Sequence, residues 1–534
     1  MIMWTSTHTY PDFNLSHSTS SNFNNLMCVL YVAYRIFLVS NINMENIMEE
    51  EYNNKFDALA STIKIEDISS DELNQEILRR LKDNDPDLEY LCISGDDQLP
   101  DENDFYPDNG EALGWLGYYI GKSITVDTLY IKTVPSPSCN DGVEEFRREM
   151  GRNKSIRSIC FGGNLLDGKI FYMLDSFFRN NNNLIGIEVR DWDMGVECVR
   201  QLSLALGSCS NNRSLKRIEL SHNQIGHVQL VDIIAALIMH PQLEYLYLQD
   251  MNVGRNECTA LATLSENTTK QLQILDLYGN NVDDDGIESL THAISGSNLQ
   301  VLTLSCNRAI TARGWKKVST LLEMSDFELE KLYLSANNID DEVALIFATS
   351  LKGNSKLKTL DLTDCDGITE GGWAHFSSPL CDTSSINKTY LSNHTLEDLG
   401  STHIPTDIQQ YLILNSNSED KGQIAMAKII RHHSHFNMQP FFEWEFKVLP
   451  LMITWLEKAG AHTSNFGEEI NRTKLSITYD FIREFPMLYI EPVTRKETEE
   501  CSAMEIQLQE GDKCQQAELE EVQQRKERAM RRLL

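Results

Sequence analysis

Residues 272–282 read Leu-Gln-Ile-Leu-Asp-Leu-Tyr-Gly-Asn-Asn-Val, and this line sets the pattern for most of the chain. Leu275 and Leu277 enclose Asp276. A Leu-x-Leu segment predicts a short strand with both leucines on one face, because successive side chains of a strand point to opposite sides. Asn280 can hydrogen-bond to backbone groups where the strand ends. The line therefore predicts a strand that is buried on one face and followed by a turn.

The same line returns along the chain at near-constant intervals of 27 to 31 residues. Its second apolar position is filled in turn by Leu129, Ile159, Ile187, Ile218, Leu246, Leu275, Leu302, Leu332, Leu360 and Thr389. After each line the apolar residues follow helical spacing, as at Ile287, Leu290 and Ile294. One strand and one helix cannot bury their apolar sides alone, so the units are expected to stack on one another.

This pattern resembles the leucine-rich repeat, L-x-x-L-x-L-x-x-N/C-x-L, whose period is roughly 20–29 residues. The long period indicates the ribonuclease-inhibitor type, which has a full helix in every repeat. The resemblance covers about residues 120–400 and implies an α/β fold. That fold is a horseshoe solenoid with parallel strands on the concave side, helices on the convex side and a helical C-terminal cap. Strands lie about 4.8 Å apart and helices about 10 Å apart, so we expect the stack to curve with the strands inside.

A wider resemblance rests on several short motifs. They are Gly114-Trp-Leu-Gly, two Ile-Thr-x-x-Gly-Trp segments that begin at Ile310 and Ile368, and Thr389-Tyr-Leu-Ser-Asn-His-Thr-Leu followed by Pro440-Phe-Phe-Glu-Trp. Together they are similar to a group of uncharacterised, diatom-like algal leucine-rich repeat proteins. The resemblance supports the domain layout to about residue 490 and implies no known activity.

The chain is predicted to have five segments. They are an atypical leader, disordered or not translated (1–43), an N-terminal cap with an irregular first repeat (44–120), the leucine-rich repeats (121–400), a helical C-terminal cap (401–492) and a charged, partly helical tail (493–534). An apolar stretch at 26–39 leaves a signal anchor open as an alternative for the leader, although it is short for a membrane span. A coiled coil is the alternative for the tail.

Within the N-terminal cap, Ser69-Ser-Asp-Glu-Leu predicts a helix start with Leu73, Ile77 and Leu81 as its buried stripe. Residues 88–93 predict a first strand, and the acidic residues 96–108 predict a loop.

The charge balance bears on the partner. With 47 basic and 79 acidic residues, the formal net charge is −32. This argues against nucleic acid and against an anionic membrane, so membrane binding is not expected. It favours a basic protein partner, with acidity for solubility alone as the open alternative. The twelve cysteines are scattered without a CxxC pair, which is typical of reduced thiols and of a cytoplasmic protein.

Catalytic signatures are missing from the sequence. Gly121-Lys122-Ser123 ends like a phosphate-binding loop, but the required glycine five places before Gly121 is Leu116. His432, His433 and His435 lack the spacing of a metal pair. No nucleophile motif or paired catalytic carboxylates stand out, so we predict a non-enzymatic protein without a cofactor.

Binding is expected on the concave face, where the residue between the two strand leucines points. The predicted partner-binding residues are Tyr130, Glu188, Glu219, Tyr247, Asp276, Tyr278, Tyr333, Asp361 and Tyr390. Tyrosines mixed with carboxylates suit a polar, basic protein surface. Ribonuclease inhibitors resemble this in using an aromatic and acidic hollow to hold basic partners. The alternative is that these are exposed strand residues without a role.

The predicted function is a monomeric, non-enzymatic scaffold that binds a protein partner. One alternative is a GTPase activator like the one that acts on Ran, which shares this repeat type. A third is a membrane-anchored receptor, which requires the N-terminal apolar segment to be an anchor.

Overall fold

The computed structural model describes residues 55–433 except 95–101, 134, 166–167, 191–193, 210–213, 224, 238, 269–270, 402–403 and 419. The predicted leader and tail, His435 and most of the predicted helical cap lie outside the described residues. The chain forms two units, divided after Ile68. In the first unit the described helices are α1 (Lys55–Leu59) and α2 (Ile65–Ile68). All features below belong to the second unit.

Eleven parallel strands form one sheet in the second unit. They are β1 (Tyr90–Ile93), β2 (Asp104–Phe105), β3 (Thr128–Thr133), β4 (Ser158–Leu165), β5 (Gly186–Arg190), β6 (Arg217–Glu219), β7 (Tyr245–Tyr247), β8 (Ile274–Asp276), β9 (Val301–Thr303), β10 (Lys331–Tyr333) and β11 (Thr359–Asp361). From β3 to β11 the strands follow chain order. Their register pairs the predicted second position from Leu129 to Leu360, so nine of the ten predicted lines are confirmed.

Helices fill the connections between the strands. They are α3 (Glu72–Asp83), α4 (Gly110–Lys122), a 3₁₀ helix (Pro137–Gly142), α5 (Val143–Met150), α6 (Lys169–Met173), α7 (Asp175–Asn180), α8 (Val196–Ser208), α9 (His227–Leu237), α10 (Arg255–Thr268), α11 (Asp284–Ile294), α12 (Ala312–Leu322), α13 (Asp341–Ser350), α14 (Glu370–Ala374), α15 (Ser377–Leu380), α16 (Ile386–Tyr390), α17 (Thr406–Ser416) and α18 (Lys421–His432). The predicted stripe of Ile287, Leu290 and Ile294 is buried together with the strand leucines. The predicted fold class, a leucine-rich repeat solenoid, is confirmed.

The asparagines of three successive lines bond to the repeat before their own. Asn307 donates from Nδ2 to the Leu277 carbonyl at 2.8 Å and accepts the Val282 N–H at 3.0 Å. Asn280 and Asn337 make the same kind of bonds to the lines that precede them. We call these three residues the asparagine ladder. The ladder satisfies backbone groups that the short strands leave open, which would otherwise be costly in the interior.

The two Ile-Thr-x-x-Gly-Trp segments are helix starts fastened to the preceding helix. Asp284 accepts the N–H groups of Thr311 and Gly314 at 2.8 and 3.1 Å. Asp341 accepts the corresponding threonine N–H in the second segment. A Cβ at Gly314 would lie 2.5 Å from Asp284 Oδ1, so the glycine is needed for this approach. Trp315 is fully buried, and the aromatic residue therefore serves packing.

Both edges of the sheet are closed by side chains or loops. At the β2 edge, the buried Asn74 of α3 donates to the Tyr106 carbonyl at 2.6 Å and accepts its N–H at 2.8 Å. At the β11 edge, the Leu360 N–H donates to the Asp398 carbonyl at 3.0 Å. These contacts occupy backbone groups at both edges, which disfavours strand addition there.

The last predicted line is wrong. Thr389 lies in α16 rather than on a strand, so Tyr390 is a helix residue, 38% exposed, and does not belong to the sheet. The line that follows β11 starts instead at Leu396, whose N–H donates to Asn393 at 2.9 Å. Three short helices, α14 to α16, occupy the longer interval before it.

Two details of the N-terminal cap also differ from the prediction. The helix α3 starts at the predicted place with Asp71 as N-cap, but Leu73 is 39% exposed while Asn74 is buried in its stead. Residues 96–108 are not entirely a loop, because Asp104–Phe105 forms β2 beside Cys92 and Ile93. The strand is only two residues long, too short for any alternation to be visible in the sequence.

Candidate functional site

The concave face is formed by the first and third side chains of each short strand, since the middle residue points into the core. In β6, Ile218 is buried while Arg217 and Glu219 flank it on the other side. Of the nine predicted binding residues, seven lie on strands of this face, and Tyr278 lies two residues after the end of β8. Register places the third residues of β5 to β11 side by side in one row: Glu188, Glu219, Tyr247, Asp276, Thr303, Tyr333 and Asp361.

Two arginines neutralise the glutamates of this row. Arg190 lies 3.0 Å from Glu188 and 2.6 Å from Glu219. Arg217 lies 2.7 Å from Glu219, and its guanidinium stacks 4.5 Å from the centroid of the Tyr247 ring. We call Glu188, Arg190, Arg217 and Glu219 the charged block. Because its charges are paired within the face, the block offers little net charge to a partner.

The protonation of the charged block follows from its burial and its ion pairs. Burial raises the pKa of Glu188, and the nearby Arg190 opposes that shift. The hydrogen bond to Glu219 raises the pKa of Arg190, so this arginine is charged throughout the physiological range. The two arginines and two glutamates thus form one ion-pair network.

The aspartates of the row are satisfied differently. Asp276, only 9% exposed, accepts the side-chain amide of Gln249 at 2.7 Å and the Tyr278 N–H at 2.9 Å. Asp361 accepts the hydroxyl and the N–H of Thr363. All four donors are neutral, and within the part of the chain that the structure describes no Lys, Arg or His forms an ion pair with either aspartate. Burial raises the pKa of Asp276.

We call Tyr247, Asp276, Tyr278, Tyr333 and Asp361 the tyrosine–aspartate block. It spans β7 to β11 and contains five of the nine predicted residues. It differs from the charged block beside it in that its negative charge is not cancelled by neighbouring cations. The predicted mixture of tyrosines and carboxylates is thus present in one place, at the C-terminal half of the face.

Tyr130 lies at the opposite end of the row. Its ring is 6.5 Å from that of Tyr90 and 5.9 Å from the ammonium of Lys132. A Cβ at Gly162 would lie 2.2 Å from the Tyr130 hydroxyl, so the missing side chain of Gly162 leaves room for the tyrosine. Lys132 also lies 3.6 Å from the buried Asp104 of β2. This end is separated from the tyrosine–aspartate block by the charged block.

The sequence prediction left out the first residues of the strands, among them Arg217 and Tyr245. Arg217 and Tyr245 stand two places before Glu219 and Tyr247, and the period-two alternation of a strand puts them on the same side. The signal is present in the sequence, but the prediction rested on the residue between the leucines and, for Tyr278, on a residue after the strand. Arg217 matters most, because it compensates the Glu219 charge.

Neither a metal site nor a membrane-spanning helix is found among the described residues. No group of three or more His, Cys, Asp and Glu side chains there is arranged to hold a metal ion. None of the described helices combines the length and the apolar character needed to cross a bilayer.

Comparisons with known proteins agree with the repeat pattern. The family model described as "Leucine Rich repeat" matches residues 211–227, 271–290 and 353–372. "NACHT, LRR and PYD domains-containing protein 3" of Bos taurus is 30% identical over 256 residues, which are 47% of this chain and 24% of that protein. "Ribonuclease inhibitor" of Sus scrofa is 27% identical over 210 residues, which are 38% of this chain and 45% of that protein.

The chain therefore spans less than half the length of either of these curated relatives. Among solved structures, a chain from "Crystal structure of Rad7 and Elc1 complex in yeast" aligns with 73% of this chain and 96% of its own, at a TM-score of 0.34 and 13% identity. The similarity to algal repeat proteins stays an expectation from the sequence.

Proposed function

We propose, from the premise that this chain is a leucine-rich repeat protein, that it is a non-enzymatic scaffold whose concave face binds a protein partner with a basic surface. The observation that carries the proposal is the tyrosine–aspartate block, in which two carboxylates without a cationic neighbour stand among tyrosines. Tyrosine is enriched at the energetic centres of protein interfaces, because it buries a large rigid ring and keeps a polar end.

Charge supports a basic partner in two ways. The formal net charge of −32 attracts a basic protein at long range and speeds its approach. At short range, the carboxylates of the tyrosine–aspartate block can form ion pairs with cations of a partner. The glutamates of the charged block are already paired with arginines and gain less from such a partner. The name of the porcine relative, ribonuclease inhibitor, states that it acts on another protein. We further propose a monomeric, cytoplasmic protein.

The test is chemical cross-linking of the full chain in a native lysate, followed by identification of the captured proteins and their isoelectric points. A concave variant combines Tyr247→Ala, Asp276→Asn and Tyr333→Ala. A matched control combines Tyr172→Ala and Leu345→Ala, which change two exposed residues on helices. Wild type and control should capture the same set, and the concave variant should lose members that are predominantly basic.

Two results would contradict the proposal. If the concave variant captures the same proteins as the control, binding does not use this face. If the lost proteins are predominantly acidic, the face is used but the partner is not basic. Circular dichroism and the melting temperature of each variant establish that the comparison is made between folded proteins.

A further inference from the structure

The two most buried carboxylates of the concave row are in opposite electrostatic situations. Glu219, 5% exposed, meets two arginines at 2.6 and 2.7 Å. Asp276, 9% exposed and two strands away, meets only the neutral donors of Gln249 and Tyr278. A buried carboxylate without a counter-charge is unfavourable unless further hydrogen bonds or an ion pair replace the water that it has lost. Each oxygen of Asp276 accepts one bond, so lone pairs remain on both.

The neighbour of Asp276 on the next strand is small. Thr303 of β9 pairs in register with Asp276 on one side and with Tyr333 of β10 on the other. Adjacent strands lie about 4.8 Å apart, so the aspartate and the tyrosine stand roughly 10 Å apart with the short threonine between them. This spacing leaves room above Thr303 for one additional side chain. We call Asp276, Thr303 and Tyr333 the cation niche.

None of the cations among the described residues fills the niche. Arg217 is engaged with Glu219 and with the Tyr247 ring. Lys331 lies on the same face two residues before Tyr333, opposite Val301, and within the described residues it forms no ion pair. Within the described residues, Asp276 therefore has no counter-charge.

We propose that the cation niche receives a single basic side chain, arginine or lysine, from the surface of the protein partner. This inference rests on the proposed function and assigns its central contact. The cation pairs with the free lone pairs of the Asp276 carboxylate. Its other side lies against the face of the Tyr333 ring, an arrangement that favours a cation because the ring face is electronegative. Thr303 provides the opening, and a larger residue there closes it.

The niche can be tested without the partner by supplying the cation within the chain. Thr303→Lys places an ammonium beside Asp276, and Thr303→Met places a side chain of similar length without a charge. Thr303→Lys should melt about 2 °C above Thr303→Met. In the Asp276→Asn background this difference in melting temperature should vanish, because the carboxylate that pairs with the lysine is gone. The double-mutant cycle thus isolates the coupling between positions 276 and 303. Equal melting temperatures of the lysine and methionine variants in the wild-type background would overturn the niche.

The occupant is tested by the same cross-linking capture, with the yield of each basic protein as the readout. Thr303→Lys fills the niche and should reduce capture of the basic set by about tenfold or more, as should Asp276→Asn, because a hydrogen bond to a charged group is lost. Asp364→Asn is the matched control: it removes the same charge from an exposed turn residue off the row and should leave the yields unchanged.

The outcomes separate this inference from the proposed function. One possible outcome is that Thr303→Lys is stabilised through Asp276 but captures the basic proteins at the wild-type yield. The niche would then exist without being the partner's contact. The inference would be overturned, while the proposal of binding on the concave face would stand. If the triple concave variant also captures the wild-type set, the proposed function itself fails. A loss of capture with Asp276→Asn and Thr303→Lys, but not with Asp364→Asn, supports both.

Discussion

Replacing Asn307 with alanine removes the middle rung of the asparagine ladder, and the structure allows the cost to be worked out. The side chain is buried, donates to the Leu277 carbonyl at 2.8 Å and accepts the Val282 N–H at 3.0 Å. Both backbone groups belong to the preceding repeat. Alanine fills none of these roles and leaves a buried acceptor and a buried donor without partners. At about 1–3 kcal/mol for each unsatisfied group, we expect a loss of about 4 kcal/mol in the free energy of unfolding.

Cys365 offers the matched control, because it occupies the same position of its own line. Its thiol makes one weak bond, to the Leu334 carbonyl at 3.5 Å. Cys365→Ala should therefore cost only about 1 kcal/mol. The N/C alternative of the repeat consensus allows cysteine at this position.

The measurement is urea-induced unfolding of both variants, combined with hydrogen exchange at the Val282 amide. A repeat array need not unfold in one step, so exchange reports the local loss directly. Protection at Val282 should fall strongly in Asn307→Ala and little in Cys365→Ala. The reasoning is refuted if the two variants are destabilised equally, or if Asn307→Ala leaves the protection of Val282 unchanged.

Two further predictions concern the helix starts and the C-terminal region. Gly314→Ala should destabilise the protein by about 1–3 kcal/mol, because its Cβ would lie 2.5 Å from Asp284 Oδ1. Gly296→Ala is the control and should be neutral, because a Cβ there has no atom within 4 Å. Thermal unfolding of the two variants tests this, and equal melting temperatures would rule out the steric argument. Burial, with a contribution from the Lys428 ammonium, lowers the pKa of His394 to about 3. In the unfolded chain a histidine has a pKa near 6.5. The neutral form that the folded protein requires therefore costs nothing above about pH 6.5. As the pH falls from about 6.5 toward 3, the free energy of unfolding decreases by at most about 1.4 kcal/mol per pH unit. The urea midpoint should therefore drop more between pH 7 and 4.5 for the wild type than for His394→Gln, and parallel curves would show that His394 does not titrate in this window.

The periodic part of the fold could be predicted from the sequence because its physics is local and repeated. Each line places apolar residues three and then two places apart, and stacking leaves them a single buried face. The register from Leu129 to Leu360 follows from that pattern alone. The prediction failed at Thr389, where the interval between lines lengthens to hold three short helices. An asparagine three places before the first leucine, as in Asn354 and Leu357, would have identified Asn393 and Leu396 as the true line.

The candidate site could be predicted only in part. Which residues face the concave side follows from strand alternation, and eight of the nine predicted residues lie on or beside the strands. How they pair with one another does not follow, because ion pairs across strands depend on side-chain conformation. The sequence suggested that Glu188, Glu219 and Asp276 are alike. The structure separates them, since Arg190 and Arg217 neutralise the first two and leave Asp276 without a cation.

The asparagine ladder also bears on the order in which the repeats fold during synthesis. Asn280, Asn307 and Asn337 each bond to their own line and also to the repeat before it, so the carbonyls of Leu248, Leu277 and Leu304 receive these bonds only when the following line has folded. A chain leaving the ribosome is made in this order. Each of these three lines therefore completes the hydrogen bonding of its predecessor as it emerges, and until then the carbonyl of the preceding repeat lacks this bond at the growing end.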